Sequence, residues 1–363
     1  MKIVYLCTKQ LDMETTTKNI CTTLENIIRK ALTPLITGDY ILLDLPYHAN
    51  IGDTLIWFGE EAFLKTLSGQ CLGRHGKDTF DFRSLPKDCT ILLHGGGNFG
   101  DIWREHQEFR LEVMRLYPDN NIIVLPQTIH YDSDEIFAED VRKMNQHRHL
   151  TICARDNHSA ELLSGKGFTS NLLTLPDMAF CIDREVLQTD MAEATLPKLL
   201  LLREDKELKR NSNLTVSDWP QMKELSAKTR HYLKKHKNSE ADSFFIDEFF
   251  PKQIKAGVEF ASSFKEVCST RLHVSILRLL LGLPVKMIDN SYGKNLNFYN
   301  TWLKDSKLIS LPNEEEQNAI DLAAFISNLE SKIHKRLKTI RLLIWLSSFL
   351  LLTNIVLLII FLI

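Results

Sequence analysis

The chain has 363 residues, and its 44 lysines and arginines nearly balance its 46 aspartates and glutamates, for a net charge of -2. With 44% hydrophobic and 25% charged residues, the composition is that of a folded core, which excludes a mainly disordered or fibrous chain. The absence of a basic excess argues against nucleic acid as a partner.

The first residues predict an extension that carries a helix. The apolar run at the N-terminus is too short for a secretory signal. Apolar side chains then recur at helical spacing over residues 14–36. We therefore assign residues 1–37 to an N-terminal extension with a helix.

Short apolar runs alternate with helical patterns in the next part of the chain, which predicts a parallel sheet with helices on both faces. The predicted strands cover residues 40–45, 90–94, 122–126, 151–154 and 172–175, and the predicted helices cover 54–68 and 156–164. A second series follows, with strands at 198–203, 244–246, 264–268 and 284–288 and helices at 218–237, 251–261, 271–281 and 314–338. The fold class is therefore α/β, with Rossmann-like domains over residues 38–195 and 196–312.

The C-terminus predicts a membrane anchor. Residues 342–363 carry no charge, and at about 1.5 Å per helical residue they span a hydrocarbon core of about 30 Å. The segment 313–341 is assigned to a helix and a basic linker, and its positive charges predict a cytoplasmic flank. We expect a single-pass transmembrane helix in the cell inner membrane with the catalytic part in the cytoplasm. The alternative is a buried or amphipathic helix packed on the fold.

Metal and cofactor sites are not predicted. The seven cysteines are scattered, odd in number and free of C-x-x-C pairs. No spacing of histidines and carboxylates matches a known metal motif. We therefore expect neither a metal nor a cofactor.

Two glycine-bearing loops follow predicted strands, at the edge where parallel sheets bind ligands. In His48–Asp53, Gly52 permits close backbone approach, and Asp53 either caps the next helix or serves the site. The second loop contains His94, Gly95, Gly96, Gly97 and Asn98. Its three glycines leave backbone N–H groups suited to an anion, and they exceed what one tight turn requires.

Two further strand ends carry cations. Arg155 can fork onto a phosphate or a carboxylate, or else it pairs with Asp156 or Asp177. Arg271 and His273 fall in a first helical turn, where the helix dipole disfavours cations by about 0.3–1 kcal/mol. An anion is therefore expected there, and His273 could exchange a proton near neutral pH, unless both residues simply face solvent. The combined set suits a small molecule with both phosphate and carboxylate groups.

These motifs together resemble the polysaccharide pyruvyl transferase family over roughly residues 38–300. The resemblance rests on Asn50–Asp53, Leu93–Asp101, Arg155-Asp156, Pro176-Asp177 and Thr270–His273. It implies a fold similar to GT-B glycosyltransferases, in which two Rossmann-like halves face a cleft. It also implies transfer of pyruvate from phosphoenolpyruvate to a sugar diol of a polysaccharide or its lipid-linked precursor, with ketal formation and release of phosphate.

The resemblance also implies roles for residues. Arg271, Leu272 and His273 match the motif that contacts the donor, and Arg155 matches a donor-binding arginine of the first half. His273 is the expected acid, and Asp53 or His94 the expected base. The glycine loop, Gly95–Asn98, is the remaining part of the expected substrate site.

Two other functions stay open at this point. One is a GT-B-type glycosyltransferase that uses a nucleotide sugar, for which the second half shows no clear ribose-binding acid. The other is a membrane-tethered scaffold whose loops are structural. The first needs a nucleotide-sugar donor, and the second predicts that Arg155 and Arg271 tolerate substitution.

Overall fold

Two parallel sheets follow one another along the chain. The computed structural model describes residues 20–201, 219–220, 239–290, 292–318, 320–321, 336–337 and 339–340. Helix α1 covers 20–32 of the described residues and leads into a 3-10 turn at Thr33–Leu35. Its side chains Leu24, Ile28 and Leu32 are buried, as the helical spacing in the sequence predicts.

The first sheet has seven strands. They are β1 Tyr40–Leu43, β2 Cys71–His75, β3 Thr90–Leu93, β4 Gly96–Gly100, β5 Ile122–His130, β6 Leu150–Ala154 and β7 Asn171–Thr174. The order is β2-β1-β3-β5-β6-β7, and β4 pairs with the end of β5. The chain reverses its direction of travel across the sheet between β1 and β3, which opens a crevice beyond the carboxyl ends of these strands.

Helices cover both faces of this sheet. They are α2 Ile51–Leu64, α3 Arg104–Leu116, α4 Asp134–Met144, α5 Asn157–Gly165 and α6 Arg184–Gln188. Because helices cover both faces, all four side chains of β1 are buried. Tyr40 and Leu42 belong to one hydrophobic cluster, while Ile41 and Leu43 belong to another on the opposite face. A strand covered on both faces reads as a continuous apolar run.

The second sheet has four strands in the order β11-β10-β9-β8. They are β8 Leu196–Leu201, β9 Phe264–Ser269, β10 Val285–Met287 and β11 Ile309–Ser310. The helices between them are α7 Ser239–Ser243, α8 Phe250–Ser262, α9 Leu272–Leu280 and α10 Lys294–Phe298, with π-helical turns at Phe244–Phe249 and Tyr299–Leu303. The described residues of 314–321 are also helical.

One large apolar cluster joins the two sheets. It contains Ile51 and Leu55 of α2, Ile254 and Val258 of α8, and side chains of α9. A Cβ added to Gly257 of α8 would lie 2.5 Å from Ile51, so α2 and α8 pack closely. The helix α2 therefore belongs to the first sheet and also contacts the second half of the chain.

Two predicted segments differ from the structure. Residues 244–246 were predicted as a weak strand, but Phe244 and Phe245 lie in a helical turn and are buried. Three apolar residues in a row fit either structure, and the buried ring contacts with Phe249 favour the helix. The glycine segment was predicted as a loop, but Gly96–Gly100 forms strand β4, with positive φ at both ends.

The fold class predicted with a C-terminal transmembrane helix was wrong in that respect. Across the described part of the chain, no helix is both long and apolar enough to cross a bilayer. The run 342–363, on which the prediction rested, lies outside the described residues, as does most of the predicted helix 218–237. The prediction used only the length and hydropathy of a run, which do not establish its placement. The structure supports a mixed α/β fold with parallel sheets.

The predicted domain boundaries remain predictions. The two sheets use residues 40–174 and 196–310, which the predicted domains 38–195 and 196–312 enclose. The likeness to the GT-B arrangement also remains a prediction.

Candidate active site

A buried arginine, carboxylate and imidazole meet beyond the strand ends of both sheets. Arg155 follows β6, Asp177 follows β7, and His273 lies in the first turn of α9. Arg155 Nη1 lies 2.6 Å from Asp177 Oδ2, and His273 Nε2 lies 3.2 Å from the same oxygen. Arg155 and His273 are separated by 3.5 Å. The second half of the chain thus supplies a side chain to a cluster built on the first.

Arg155 is held from several directions. Its Nε and Nη2 donate to Thr128 Oγ1 at 3.2 and 2.8 Å. Its carbonyl oxygen accepts a hydrogen bond of 2.8 Å from the indole N–H of Trp302, and its guanidinium lies 5.9 Å from the ring centre of Phe298. A guanidinium has five N–H donors, and Thr128 and Asp177 account for three of them. Nη1 also lies 3.5 Å from His273 Nε2, so one N–H group, on Nη2, remains without an acceptor among the described residues.

The glycine loop approaches the Arg155 guanidinium. A Cβ on Gly97 would lie 3.6 Å from Arg155 Nη2 and would collide with Lys294 Nζ. Gly96 has φ +126°, a backbone conformation that other residues rarely adopt. Gly95 has no room for a side chain either, because a Cβ there would lie 2.8 Å from the carbonyl oxygen of Pro126. The loop can therefore bring backbone within reach of two cations.

The N-terminus of α2 faces the same region. Asn50 is the N-cap, since its Oδ1 accepts a hydrogen bond from Gly52 N at 3.1 Å. Asp53 is therefore not the cap, and its Oδ2 accepts a hydrogen bond of 2.7 Å from Asn50 Nδ2. A Cβ on Gly52 would lie 2.6 Å from His273 Nδ1, so only a glycine allows the imidazole this close. Asp53 thus remains available to the site.

His94 has a carboxylate partner. It follows β3, and its Nδ1 lies 2.8 Å from Oε2 of Glu60 on α2. The other oxygen of Glu60 accepts a hydrogen bond of 2.8 Å from Gly95 N. Both side chains are buried, with 1% and 0% exposed. The contact fixes the position of the imidazole and of the first glycine of the loop.

The charges in the site shift the pKa values of its residues. Burial raises the pKa of an isolated carboxyl, but His273 and Arg155 hold the pKa of Asp177 well below its usual range. Burial lowers the pKa of His273, and the carboxylate of Asp177 offsets only part of that effect. In His94 the order is reversed, because Glu60 outweighs the burial and the pKa is raised. The two histidines therefore differ in protonation tendency.

Asp53 also stays ionised. Burial acts to raise its pKa, but His48, His273 and His94 lie close enough to lower it overall. Its side chain is 22% exposed, so the carboxylate can reach a bound molecule.

Three of the residues predicted for substrate binding lie outside the cluster of Arg155, Asp177 and His273. Leu272 is 1% exposed and belongs to the hydrophobic core. The side chain of Asn98 accepts a hydrogen bond from Arg110. Arg271 is the residue before α9, it is buried, and its backbone N–H donates to Ser269 Oγ at 2.9 Å. Leu272 therefore supports the core, and Asn98 fixes the glycine loop to Arg110. Arg271 lies two residues before His273, at the start of the same helix.

The sequence reasoning missed Lys294, Glu60 and Thr128. Lys294 begins α10, after the last predicted strand, and it is 4% exposed. A buried lysine is rare unless it has a partner, but the sequence gives no sign of its burial. Glu60 is adjacent to Glu61 in a helix, and two consecutive glutamates are typical of a solvent-exposed helix face. Asp177 was predicted as a possible partner of Arg155 and as part of a motif shared with the family, and the pairing with Arg155 is present.

The arrangement suits a small anion. Arg155 and Lys294 can bind phosphate and carboxylate oxygens, and two histidines and Asp53 can exchange protons. Among the described residues, no three histidine, cysteine or acidic side chains are grouped so as to hold a metal ion. The site thus offers anion binding and acid–base chemistry.

The sequence is similar to those of known proteins. Residues 50–292 match the polysaccharide pyruvyl transferase family. EpsO of Bacillus subtilis, a candidate pyruvyl transferase by its name, is 30% identical over 282 residues, which are 74% of this chain and 86% of EpsO. Pyruvyl transferase 1 of Schizosaccharomyces pombe is 28% identical over 289 residues, which are 72% of this chain and 69% of that protein.

A solved structure shares the fold. The crystal structure of an uncharacterized protein from Klebsiella pneumoniae superposes with a TM-score of 0.57 and 18% identity, over 80% of this chain and 98% of that one. This likeness concerns the fold alone. The family match covers most of the residues from which the site is built, His94, Arg155, Asp177 and His273 among them. The chain belongs to the polysaccharide pyruvyl transferase family.

Proposed function

We propose that this protein transfers pyruvate from phosphoenolpyruvate to a sugar diol of a cell-surface polysaccharide or its lipid-linked precursor. The product is a cyclic ketal, and phosphate is released. The observation that carries the proposal is the meeting of Arg155, Asp177 and His273 beside the glycine loop. Family membership supplies the reaction class.

The donor would be bound by charge. Phosphoenolpyruvate carries a phosphate and a carboxylate close together, and the site holds Arg155 and Lys294 close together beside Gly97. Arg271 is proposed as a further contact, because it precedes His273 in the same turn. Asp177 keeps Arg155 oriented, so the guanidinium need not be reorganised when the anion binds.

The chemistry needs an acid and a base. Protonation of the donor's methylene carbon generates an oxocarbenium-like centre, and the two hydroxyls of the acceptor then form the ketal as phosphate leaves. One hydroxyl proton balances the proton given to carbon, and the other leaves with the phosphate. His273 is proposed as the acid, because a bound anion beside it would raise its pKa from the lowered value of the free site. Asp53 or His94 would serve as the base.

The proposal is tested by phosphate release. The purified full chain is incubated with phosphoenolpyruvate and methyl hexosides that carry a free 4,6-diol, and in parallel with nucleotide sugars. We expect phosphate release that depends on phosphoenolpyruvate, and binding of phosphoenolpyruvate in calorimetry. The variant His273→Gln should bind the donor but lose turnover by about 10²–10⁴-fold. Near-normal turnover of that variant would remove His273 as the acid, and activity with nucleotide sugars alone would overturn the proposed reaction.

A further inference from the structure

Glu60 is a buried carboxylate that contacts His94 and the first residue of the glycine loop. It lies on the third turn of α2 and is 0% exposed. One oxygen lies 2.8 Å from His94 Nδ1, and the other lies 2.8 Å from the N–H of Gly95. A buried carboxylate is costly unless its oxygens are paired, and here both are. The pairing ties the imidazole and the loop to one rigid helix.

The opposite side of the His94 ring has no such partner. Among the described residues, no group bonds to His94 Nε2, although the atom is buried. The backbone of His94 is fixed, because its N–H donates to Leu43 O and its carbonyl accepts from Gln127 Nε2. An unpaired polar atom in a buried place is unfavourable unless a ligand hydroxyl or a water binds it. Nε2 is therefore positioned for a polar group that enters the site.

Other charged side chains also act on His94: Asp44 and Asp53 influence its pKa without an ion pair to its ring. Asp44, after β1, is paired with Arg110 at 2.8 Å and with His106 at 2.7 Å, both on α3. Asp53 on α2 and His48 before it also act on the site. Glu60 is the carboxylate whose oxygen directly contacts the ring.

We propose that Glu60 is the positioning residue for His94, holding the imidazole with the proton on Nδ1 so that Nε2 accepts the proton of an acceptor hydroxyl. This role rests on the proposed function. In the step, the hydroxyl O–H bond breaks as its oxygen bonds to the central carbon of the pyruvyl group. The proton passes to Nε2, and it leaves with the phosphate when the carbon–oxygen bond to phosphate breaks. Glu60 stabilises the imidazolium in between.

The variant Glu60→Gln separates charge from shape. A glutamine can still accept from Gly95 N, but its amide would donate to His94 Nδ1 and leave the proton on Nε2. That tautomer cannot accept a proton from a hydroxyl. We expect kcat to fall by about 10²–10⁴-fold, while KM for phosphoenolpyruvate stays within about threefold. The variant should lose little further activity in a His94→Gln background.

The matched control is Glu61→Gln. Glu61 is the next residue of α2 and pairs with Arg74 at 2.6 Å, outside the site. This variant loses the same charge from the same helix, so the kcat of Glu61→Gln should remain near that of the wild type. Equal losses of kcat in both variants would overturn the positioning role.

A second measurement does not depend on activity. The His94 imidazole is followed by nitrogen NMR in histidine-labelled full-length protein and is identified by its absence in His94→Gln. In the wild type we expect Nδ1 to carry the proton, and in Glu60→Gln we expect a lower pKa and a proton on Nε2. An unchanged His94 titration in Glu60→Gln overturns the proposal. If the wild type lacks phosphoenolpyruvate-dependent turnover, the proposed function fails, and the NMR result still decides whether Glu60 controls His94.

Discussion

Replacement of Asp177 by asparagine removes one negative charge from the centre of the site and keeps the shape of the side chain. Asp177 Oδ2 is shared by Arg155 and His273, and its other oxygen accepts from Ala179 N at 3.0 Å. Asparagine retains one acceptor oxygen, so the hydrogen bond to Ala179 can persist. The variant therefore tests the charge more than the turn.

The expected cost follows from the burial of Arg155, which is 0% exposed. Without Asp177, its described side-chain partners are the neutral hydroxyl of Thr128, the ring of Phe298 and the imidazole of His273 at 3.5 Å, and none of them is a carboxylate. Removing one partner of a buried ion pair costs about 3–5 kcal/mol, and the remaining acceptor places this case near 3 kcal/mol. For a cooperative unit of about 150–250 residues, that lowers the melting temperature by about 6–12 °C.

The assay is thermal unfolding of the full chain, with Asp183→Asn as the control. Asp183 is an exposed N-cap that accepts from Glu185 N at 3.0 Å, and asparagine caps equally well. The melting temperature of the control should match that of the wild type. The pKa of Asp177 is lowered in the folded state, so its contribution is complete above the ordinary aspartate pKa and is lost as the pH falls toward the folded value. The difference between wild type and Asp177→Asn should therefore persist from pH 8 to pH 5 and decrease only below about pH 4.

One result would refute this reasoning. If Asp177→Asn melts within about 2 °C of Asp183→Asn at pH 7, Arg155 does not need a counter-ion. The buried ion pair would then contribute little to the fold, and the orientation of Arg155 would have to come from Thr128 and Trp302.

Three further substitutions test the packing of the site. Gly97→Ala places a methyl group between Lys294 and Arg155. We expect the affinity for phosphoenolpyruvate, measured by calorimetry, to fall about thirtyfold, or about 2 kcal/mol. The control Gly165→Ala, which has open space around it, should leave the affinity unchanged. Gly59→Ala directs a methyl group into the backbone of the turn before α6, so the free energy of unfolding from urea titration should fall by about 3 kcal/mol, again relative to Gly165→Ala. Trp302→Phe removes the hydrogen bond to Arg155 O, and the same titration should show a loss of about 1 kcal/mol. Unchanged values for these variants would contradict the contacts described.

Much of the sheet could be predicted, because both faces of its strands are buried. The runs at β1, β3 and β6 are continuous and apolar, and loops with glycine or charge follow them. The strand β4 could not be found this way, because glycines carry no hydropathy pattern. The edge strand β2 is only half-buried along its length, so it shows no apolar run.

The site could be predicted where a residue follows a strand directly. His94 and Arg155 were proposed because each follows a predicted strand, and His273 because it lies in the helical turn after one. The structure brings Arg155 and His273 to within 3.5 Å of each other, and the roles of all three residues remain predictions. Glu60 and Lys294 lie in helices, and only the packing of those helices buries them. The role of Asp53 as a cap was predicted from the sequence as one of two possibilities, and the structure gives the cap to Asn50.

The contacts across the two halves limit how this enzyme could be recombined with its relatives. His273 reaches Asp177, Trp302 reaches the backbone of Arg155, and Gln253 reaches Thr54. A chimera that joins residues up to 195 with the remainder of another family member would have to preserve all three junctions. Exchanging surface loops between family members would leave these three contacts intact, whereas exchanging a whole half would not.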